Sequence, residues 1–458
     1  MNPTEALASY VSETKFSDFP PDVVLKAKYC ILDSIGCALG GVQTDIGKQH
    51  VKIAGVMGGG PEATIVGTGV KVSMVNAAYA NGQIANVLDY DDAVVPVPGH
   101  PGIAIIYPAL AAGERVGASG KEILTAVILG YEVGLRVAHA LRSVVMPAGA
   151  KHPYLLFNTS YKIFGAAVAA GKVLGLDREG IAGSFGTVGL VVPGTSQHTW
   201  APGSLEKAII KSNYGIYGFL GTFAALQAEQ GMVGPKDILD GDEFWTKTGA
   251  NNCNYFELTR GLGSDYLITE VGFKPVPSCR GTHPQLTAVM EALKGKVIES
   301  GDIDEIVLYG GRMLTRPKWD TMLEAEFSTA CAVALYLSGV EPGPDWYLRG
   351  RYKDKDVLGI AKKIKFVEEL KYWEIWVKYG KLAAAAEIRT KDGKMKKAYI
   401  EYPKGEPQNP MTEAEHRKKF AGNCAAVIGT KQTEKLYQAI MNLENTSVAE
   451  LMRMTFGK

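Results

Sequence analysis

The sequence predicts a mainly α-helical protein that carries a smaller α+β domain. Apolar residues recur at helical spacing from about residue 4 to residue 265. Near residue 266 the pattern changes to short β-branched runs between helical stretches, and helical spacing returns after Pro403. The last stretch is short for a separate domain. We therefore expect an all-helical domain built from residues 1–267 and 404–458, and an α+β domain over residues 268–403.

Several of the predicted helices have clear end signals. The stretch 21–41 begins with Pro21 and ends in Gly40-Gly41, a pair that is typical of a helix C-cap. Ser119 and Glu122 have the spacing of a capping box at the start of a helix over 119–143. Further helical patterns rich in Ala and Gly, which indicate close packing, cover residues 73–92, 101–117, 159–174 and 215–231.

The α+β domain is predicted from alternating runs and the turns between them. Short β-branched segments occur within 267–278, 301–313 and 381–403, and the last contains a Lys-Asp-Gly turn at 391–393. Helical patterns lie between these segments over 283–297 and 324–339. In the C-terminal tail, residues 412–429 and 434–445 are again predicted to be helical.

Composition excludes several classes of function. The 458 residues contain 49 Lys plus Arg and 48 Asp plus Glu, so the chain lacks the basic excess of a nucleic-acid-binding protein. The six cysteines form no CxxC pair, which favours reduced thiols over a zinc site or disulfide framework. The N-terminus does not resemble a signal peptide, and charged residues interrupt the longest apolar runs. These features predict a cytoplasmic protein.

The stretch DYDDAVVPVPGHPG at residues 89–102 contains Asp89, Asp91, Asp92 and His100. Carboxylates in this density could bind a metal ion, or they could cap a helix end. A histidine with a stiff, Pro-rich backbone around it also suits a positioned proton-transfer group. No second acidic cluster with matching spacing occurs, so we favour an acid/base site and predict no metal. No complete phosphate-binding or dinucleotide motif is present, and we predict no cofactor.

Taken together, several segments resemble the MmgE/PrpD family, which includes 2-methylcitrate dehydratases, cis-aconitate decarboxylases and an iminodisuccinate epimerase. The matching segments follow the family order across nearly the whole chain: LDSIGCALGG, NGQIANVLDYDD with GHPG, PALAAGERVGASGKEILTAVILGYEV, KSNYGIYGFLGTFAALQAEQGMVGPKDILDG, FKPVPSCRGTHPQ and EAEFSTACAVAL. The resemblance implies a cofactor-free homodimer whose active site lies in a cleft between a helical domain, formed by both chain ends, and an inserted α+β domain.

The resemblance also implies the site residues. Asp89 matches the first Asp of the family's acidic element, His100 and His152 match its two His-Pro histidines, and Lys274 matches the lysine of its KPYPxC-like element. We predict these four as catalytic residues. Four neighbours in the same segments are predicted to bind substrate: Asp92, Cys279, Arg280 and His283.

The chemistry of these residue types is consistent with that assignment. Removing a proton beside a carboxylate creates negative charge, which a base and fixed cations stabilise. Histidine titrates near neutral pH, so His100 and His152 can serve as base and acid. Lys274 and Arg280 can hold substrate carboxylates, Arg280 with two parallel hydrogen bonds, and Asp89 can orient a histidine or lysine.

The chain departs from the family pattern at places that bear on the substrate. Phe219 and Leu220 stand where tricarboxylate-specific members often carry polar or basic residues, and Ala93 replaces a usual Thr. The loop 94–98 is apolar, and segment 153–157 is longer and more aromatic than the family pattern. These changes predict a site with fewer carboxylate contacts and one apolar wall.

Three functions fit the sequence. The first is a lyase that dehydrates a β-hydroxy di- or tricarboxylate such as 2-methylcitrate, or decarboxylates an acid like cis-aconitate. The second is an isomerase or epimerase acting at an acidic α-carbon. The third is a non-catalytic relative that binds a partner, and the presence of Asp89, His100 and Lys274 argues against it. We predict the lyase.

Overall fold

The structure is a computed structural model. It describes residues 2–97, 99–141, 161–192, 214–242, 245, 253–294, 298–311 and 313–457, together with the backbone of two short strands at 143–145 and 154–156. Within these residues the fold is mainly helical, with a small mixed sheet in the C-terminal region. The predicted combination of many helices with one α+β region is therefore confirmed at this level.

Ten helices lie in the first 260 residues. They are α1 Pro3–Glu13, α2 Pro21–Gly41, α3 Asp45–Met57, α4 Met74–Asn86, α5 Gly102–Val116, α6 Gly120–Leu141, α7 Lys162–Val173, α8 Arg178–Val191, α9 Gly215–Glu229 and α10 Tyr255–Thr259, counted over the described residues. Two antiparallel pairs of short strands accompany them: β1 Ala63–Thr64 with β2 Lys71–Val72, and β3 Ser143–Val145 with β4 Tyr154–Leu156. Helices α4, α5, α6, α7 and α9 pack on one another and form the centre of the core.

A four-stranded sheet forms the centre of the C-terminal region. Its strands are β5 Ile303–Gly310, β6 Ile364–Glu368, β7 Ala384–Thr390 and β8 Met395–Ile400. Their order is β6-β5-β7-β8, with β5 and β6 parallel and the other pairs antiparallel. The described helices of this region are α11 His283–Leu293, α12 Met322–Glu326, α13 Thr329–Leu337, α14 Asp345–Leu348, α15 Lys355–Ala361 and α16 Leu370–Tyr379. Helix α11 packs across β7, β8 and β5.

The C-terminal tail packs against the beginning of the chain. Its helices are α17 Glu413–Ile428, α18 Thr430–Met441 and α19 Val448–Arg453. Helices α17 and α18 lie on α2, and α19 lies on α5. A buried ion pair joins Lys419 on α17 to Asp33 on α2 at 2.5 Å. The exact boundaries 1–267, 404–458 and 268–403 stay a prediction.

The Gly40-Gly41 pair does not act as the predicted C-cap. Helix α2 runs through both residues, and its C-cap is Val42. A Cβ atom at Gly41 would lie 2.0 Å from the carbonyl oxygen of Ile84. Gly41 therefore allows α2 and α4 to approach each other closely, a role that the end-signal interpretation did not anticipate. By contrast, the Ser119–Glu122 capping box is present, with the backbone N–H of Ser119 donating to Glu122 Oε2 at 2.7 Å.

The segment 267–278 does not form the β-strand that its alternating pattern predicts. Leu267–Glu270 is a 3₁₀ turn, and beyond it a single bridge pairs Gly272 with Ala93. Pro275 and Pro277 lack the N–H groups that a sheet ladder requires, so the segment continues as irregular chain. The bridge instead joins this segment to the stretch that contains the acidic cluster.

Helix α6 is long and apolar enough to cross a membrane by length and composition. In the structure, 94% of its most apolar window is buried against other parts of the protein. It packs against α5 and α7. Helix α6 is therefore a core helix of this fold.

Candidate active site

The acidic stretch lies between α4 and α5 and is folded back on itself. Asp89 follows the end of α4 with a φ of +48°, a left-handed conformation that Asp adopts more readily than most residues. The backbone N–H of Val94 donates to the Gly99 carbonyl at 3.0 Å and closes the apolar loop. This turn brings His100 back beside the three aspartates.

The bridge between Ala93 and Gly272 positions Lys274. The two residues exchange backbone hydrogen bonds of 3.0 and 2.8 Å. Two residues further on, the fully buried ammonium of Lys274 donates to the Asp89 carbonyl at 2.7 Å and contacts Asp89 Oδ1. Residues 185 positions apart thus form a buried ion pair.

His100 contacts all three members of the acidic cluster. Its Nδ1 lies 2.8 Å from the carbonyl oxygen of Asp92 and 3.2 Å from Asp91 Oδ2, and its Nε2 lies 3.7 Å from Asp89 Oδ1. A carbonyl oxygen only accepts, so Nδ1 carries a hydrogen. In the neutral ring the lone pair is then on Nε2, which is the atom that can accept a substrate proton.

Asp92 has a structural role as well as a place in the cluster. Its carboxylate accepts from the backbone N–H of Gly102 at 3.1 Å and from the Tyr131 hydroxyl at 2.6 Å. It therefore caps the N-terminus of α5, where the helix dipole favours negative charge. A Cβ atom at Gly102 would lie 2.5 Å from the Tyr131 oxygen, which explains the glycine after the His-Pro step. Burial nevertheless raises the pKa of Asp92 to about 7.

Asp89, Asp91 and His100 also have the geometry of a possible metal site. One ligand atom from each lies within 4.8 Å of the other two. The Lys274 ammonium already contacts Asp89 Oδ1, however, and a divalent cation at the same oxygen would be repelled by it. This pairing favours acid/base chemistry over metal binding at the cluster.

The other predicted residues are placed differently. Arg280 forms an ion pair with Glu406 and donates to the Lys404 carbonyl at 3.3 Å, so its guanidinium is directed to the start of the tail. His283 is fully buried at the start of α11, where burial, with Arg280 and Lys274 nearby, lowers its pKa well below the usual value. Cys279 is half-buried and packs against Leu323 and Phe327. His152 lies outside the described residues, and its role stays a prediction.

Sequence reasoning missed Lys162, the first residue of α7. Its side chain is completely buried, and its Nζ lies 4.2 Å from the ring centre of Tyr161 and 4.8 Å from that of Tyr214. The ring of Tyr214 in turn lies 5.5 Å from that of His100. A lysine at the start of the Ala- and Gly-rich pattern 159–174 was the available signal, because a buried charge in such a helix requires a reason.

Fold and cluster together define a mainly helical protein with a buried cluster of charged residues that two distant parts of the chain assemble. Models of the MmgE/PrpD N-terminal and C-terminal domains match residues 5–253 and 276–445. The chain belongs to the MmgE/PrpD family, as the order of its motifs predicted.

Two similar proteins cover nearly the whole chain. The cis-aconitate decarboxylase-like protein oryM of Aspergillus oryzae is 24% identical over 490 residues, covering 100% of this chain and 98% of its own length. The cis-aconitate decarboxylase of Mus musculus is 25% identical over 465 residues, covering 96% of this chain and 91% of its own. A third relative, a mitochondrial 2-methylcitrate dehydratase of Yarrowia lipolytica, is 28% identical over 221 residues, covering 44% of this chain and 39% of its own length. The chain is thus related to enzymes of the decarboxylase and dehydratase types.

Proposed function

We propose that this protein is a cofactor-free lyase that acts on a small di- or tricarboxylic acid, with His100 as its proton-transfer residue. The single observation that carries the proposal is the buried cluster in which His100 contacts Asp89, Asp91 and the Asp92 backbone while Lys274 pairs with Asp89. Likeness over the full chain to proteins named for cis-aconitate decarboxylation supports decarboxylation first and dehydration second.

The proposed chemistry assigns one role to each group. The Nδ1 hydrogen bond to the Asp92 carbonyl orients the imidazole, which leaves Nε2 to take or return a proton at the carbon beside a substrate carboxylate. Asp89 and Asp91 stabilise the imidazolium that results. Lys274 holds Asp89 in place. It also adds positive charge near the carboxylate oxygens of the substrate, where negative charge develops in the transition state.

We further propose that the substrate lies where residues 1–267 and 404–458 meet residues 268–403, because Asp89 and His100 come from the first part and Lys274 from the second. The predicted roles of Asp92, His152 and Cys279 belong to this proposal, whereas Arg280 and His283, which were predicted to bind substrate, are given a different role. We propose from the contacts of Arg280 with Glu406 and of His283 with Ser278 that these two residues shape the site rather than hold the substrate.

Homodimerisation is also a proposal, and light scattering, which measures the mass of the protein in solution, tests it.

To test the proposal, the protein is incubated in deuterated buffer with each of four acids, and the products are observed by NMR. The acids are cis-aconitate, 2-methylcitrate, citrate and a chiral succinate derivative. We expect alkene-containing product with release of CO₂ or water, and a kcat that falls about 10²–10⁴-fold in His100→Gln, the range for loss of a general acid/base. His50→Gln is the matched control, since His50 is a buried histidine on α3 whose Nδ1 contacts Tyr79. Its kcat should stay near that of the wild type.

Other outcomes decide between the alternatives. Deuterium incorporation at the α-carbon without a new alkene would contradict the proposed lyase activity and support an epimerase. Full activity in His100→Gln would contradict the proposed role of this residue. No reaction with any acid of the panel would contradict the proposed substrate class.

A further inference from the structure

Lys162 is surrounded by aromatic rings within the protein. Its Nζ lies 4.2 Å from the ring centre of Tyr161, 4.8 Å from that of Tyr214 and 6.0 Å from that of Tyr217. Ring faces attract a cation, but burying an ammonium group costs free energy of desolvation. A Met or Leu would fill the same space without this cost. The lysine at this position therefore calls for a functional explanation.

The lysine and a neighbouring tyrosine face the turn that carries His100. A Cβ atom built on Gly99 would lie 2.7 Å from Lys162 Nζ and 2.8 Å from the Tyr161 hydroxyl oxygen. Tyr161 is 1% exposed, and its hydroxyl has no hydrogen-bond partner among the described residues. Buried hydroxyl groups almost always have a partner. The ammonium and the hydroxyl group therefore both lie against the Gly99–His100 turn, and one carboxylate that approaches this turn would accept from both.

We propose that Lys162 is a further substrate-contacting residue, whose ammonium binds a carboxylate of the substrate beside the Gly99–His100 turn with help from the Tyr161 hydroxyl. The inference rests on the proposed function and deepens it, because it adds a carboxylate subsite on the helical side of His100. Phe219 and Leu220 on α9 carry no charge, and Lys162 supplies a cation from a different helix, α7.

The electrostatics of the pocket are consistent with an anionic ligand. Desolvation lowers the pKa of Lys162 to about 7, although Asp92 and Asp91 raise it. The other titratable groups around the lysine are Tyr161, Tyr217 on α9 and Tyr214 just before α9, and the ring of Tyr214 lies against that of His100. A substrate carboxylate would add an opposite charge and favour the ammonium. Binding near pH 8 should therefore take up a proton.

The test measures binding of tricarballylate, an unreactive tricarboxylate, to the full-length protein by calorimetry. In Lys162→Met we expect Kd to rise about 10–100-fold, the effect of losing one charged hydrogen bond. Tyr161→Phe should raise Kd by a smaller factor. Lys172→Met is the matched control on the same helix, because Lys172 donates to the carbonyls of Val11 and Ser12. Its Kd should equal that of the wild type.

A second readout separates a carboxylate contact from a purely structural role. Titrations at pH 8 in two buffers with different ionisation enthalpies give the number of protons taken up on binding. We expect uptake in the wild type and reduced uptake in Lys162→Met. Unchanged Kd or unchanged uptake in a folded variant would overturn the inference. If the variants do not fold, binding to the wild type without proton uptake would overturn it.

The two proposals can fail separately. Turnover of the acid panel by the wild type tests the lyase, and tricarballylate binding tests the subsite. Turnover with an unchanged Kd in Lys162→Met would retain the lyase and remove the subsite. Binding that depends on Lys162 without turnover of any acid would retain the subsite and remove the lyase.

Discussion

At the residue scale, Asp89 combines an unusual backbone with a buried charge. Its left-handed φ of +48° is one of two positive φ values outside glycine among the described residues. Such conformations persist where surrounding contacts impose them, and they occur often at functional sites. Here Lys274 binds both the carbonyl and the carboxylate of Asp89. The contacts of Lys274 therefore maintain this backbone conformation and hold the carboxylate towards His100.

Asp92 leads to a prediction on the pH dependence of stability. Burial raises the pKa of its carboxyl group from 3.8 to about 7 in the folded protein. Between these values the folded state keeps a proton that the unfolded chain releases, so the free energy of unfolding falls as pH rises through this window. The loss amounts to at most about 4 kcal/mol, at 1.36 kcal/mol per pH unit.

The Asp92→Asn variant isolates this effect. Asparagine is neutral throughout and keeps an oxygen that can accept from Tyr131 and Gly102. The free energy of unfolding is measured in urea at pH 5 and at pH 7.5 for both proteins. From the lower to the higher pH we expect it to fall on the order of 3 kcal/mol further in the wild type than in Asp92→Asn. Equal changes in the two proteins would contradict the raised pKa.

At the element scale, glycines set the distances between the central helices. A Cβ atom at Gly165 on α7 would lie 2.6 Å from the Gly130 carbonyl oxygen on α6 and 2.8 Å from Ile105 on α5. Helices α6 and α7 therefore meet backbone to backbone, and the Ile105 side chain of α5 packs against the same point. The same packing places Lys162, one turn earlier on α7, beside the His100 turn.

Gly165→Ala tests the importance of this contact. The added methyl group must push α6 and α7 apart, so we expect the free energy of unfolding to fall by about 1–3 kcal/mol or more. Gly55→Ala on α3 is the matched control, since a Cβ atom there meets nothing within 4 Å. Removing a helical glycine should then stabilise the protein by roughly 0.5–1 kcal/mol. The same sign for both variants in chemical denaturation would contradict this account.

At the scale of the whole molecule, the C-terminal tail supports the site from behind. Lys419 on α17 pairs with Asp33 on α2 at 2.5 Å and donates to the Tyr90 carbonyl at 2.7 Å. Tyr90 lies between Asp89 and Asp91 in the acidic cluster. The two ends of the chain and the site are therefore connected through one buried ammonium group.

Lys419→Met should show this connection. The change leaves the Asp33 carboxylate buried without its cation, which typically costs about 3–5 kcal/mol of stability, and kcat should fall because the Tyr90 carbonyl loses a support. Lys418→Met is the matched control, because Lys418 is exposed and pairs with Glu341 on the surface. A surface change of this kind should stay within about 0.5 kcal/mol. Similar losses in thermal unfolding and activity for both variants would contradict the connection.

The sequence by itself determined the features that depend on local order. Apolar periodicity and end signals predicted helices such as α2 and α5 to within a residue or so, because neighbouring side chains decide which face of a helix is buried. The motif order predicted the family, and the stretch 89–102 predicted where the acidic cluster lies.

Only the tertiary structure decided which charged groups meet. Lys274 pairs with Asp89 across 185 positions, and Arg280 pairs with Glu406 across 126, although both cations were predicted to hold substrate. The residues next to Lys162 in sequence do not assign it to the site. Tyr214 and Gly99 lie beside it only because α7 packs against α9 and the acidic stretch folds back on itself. Pairing between distant residues depends on how helices and loops pack in three dimensions, and local sequence does not determine that packing.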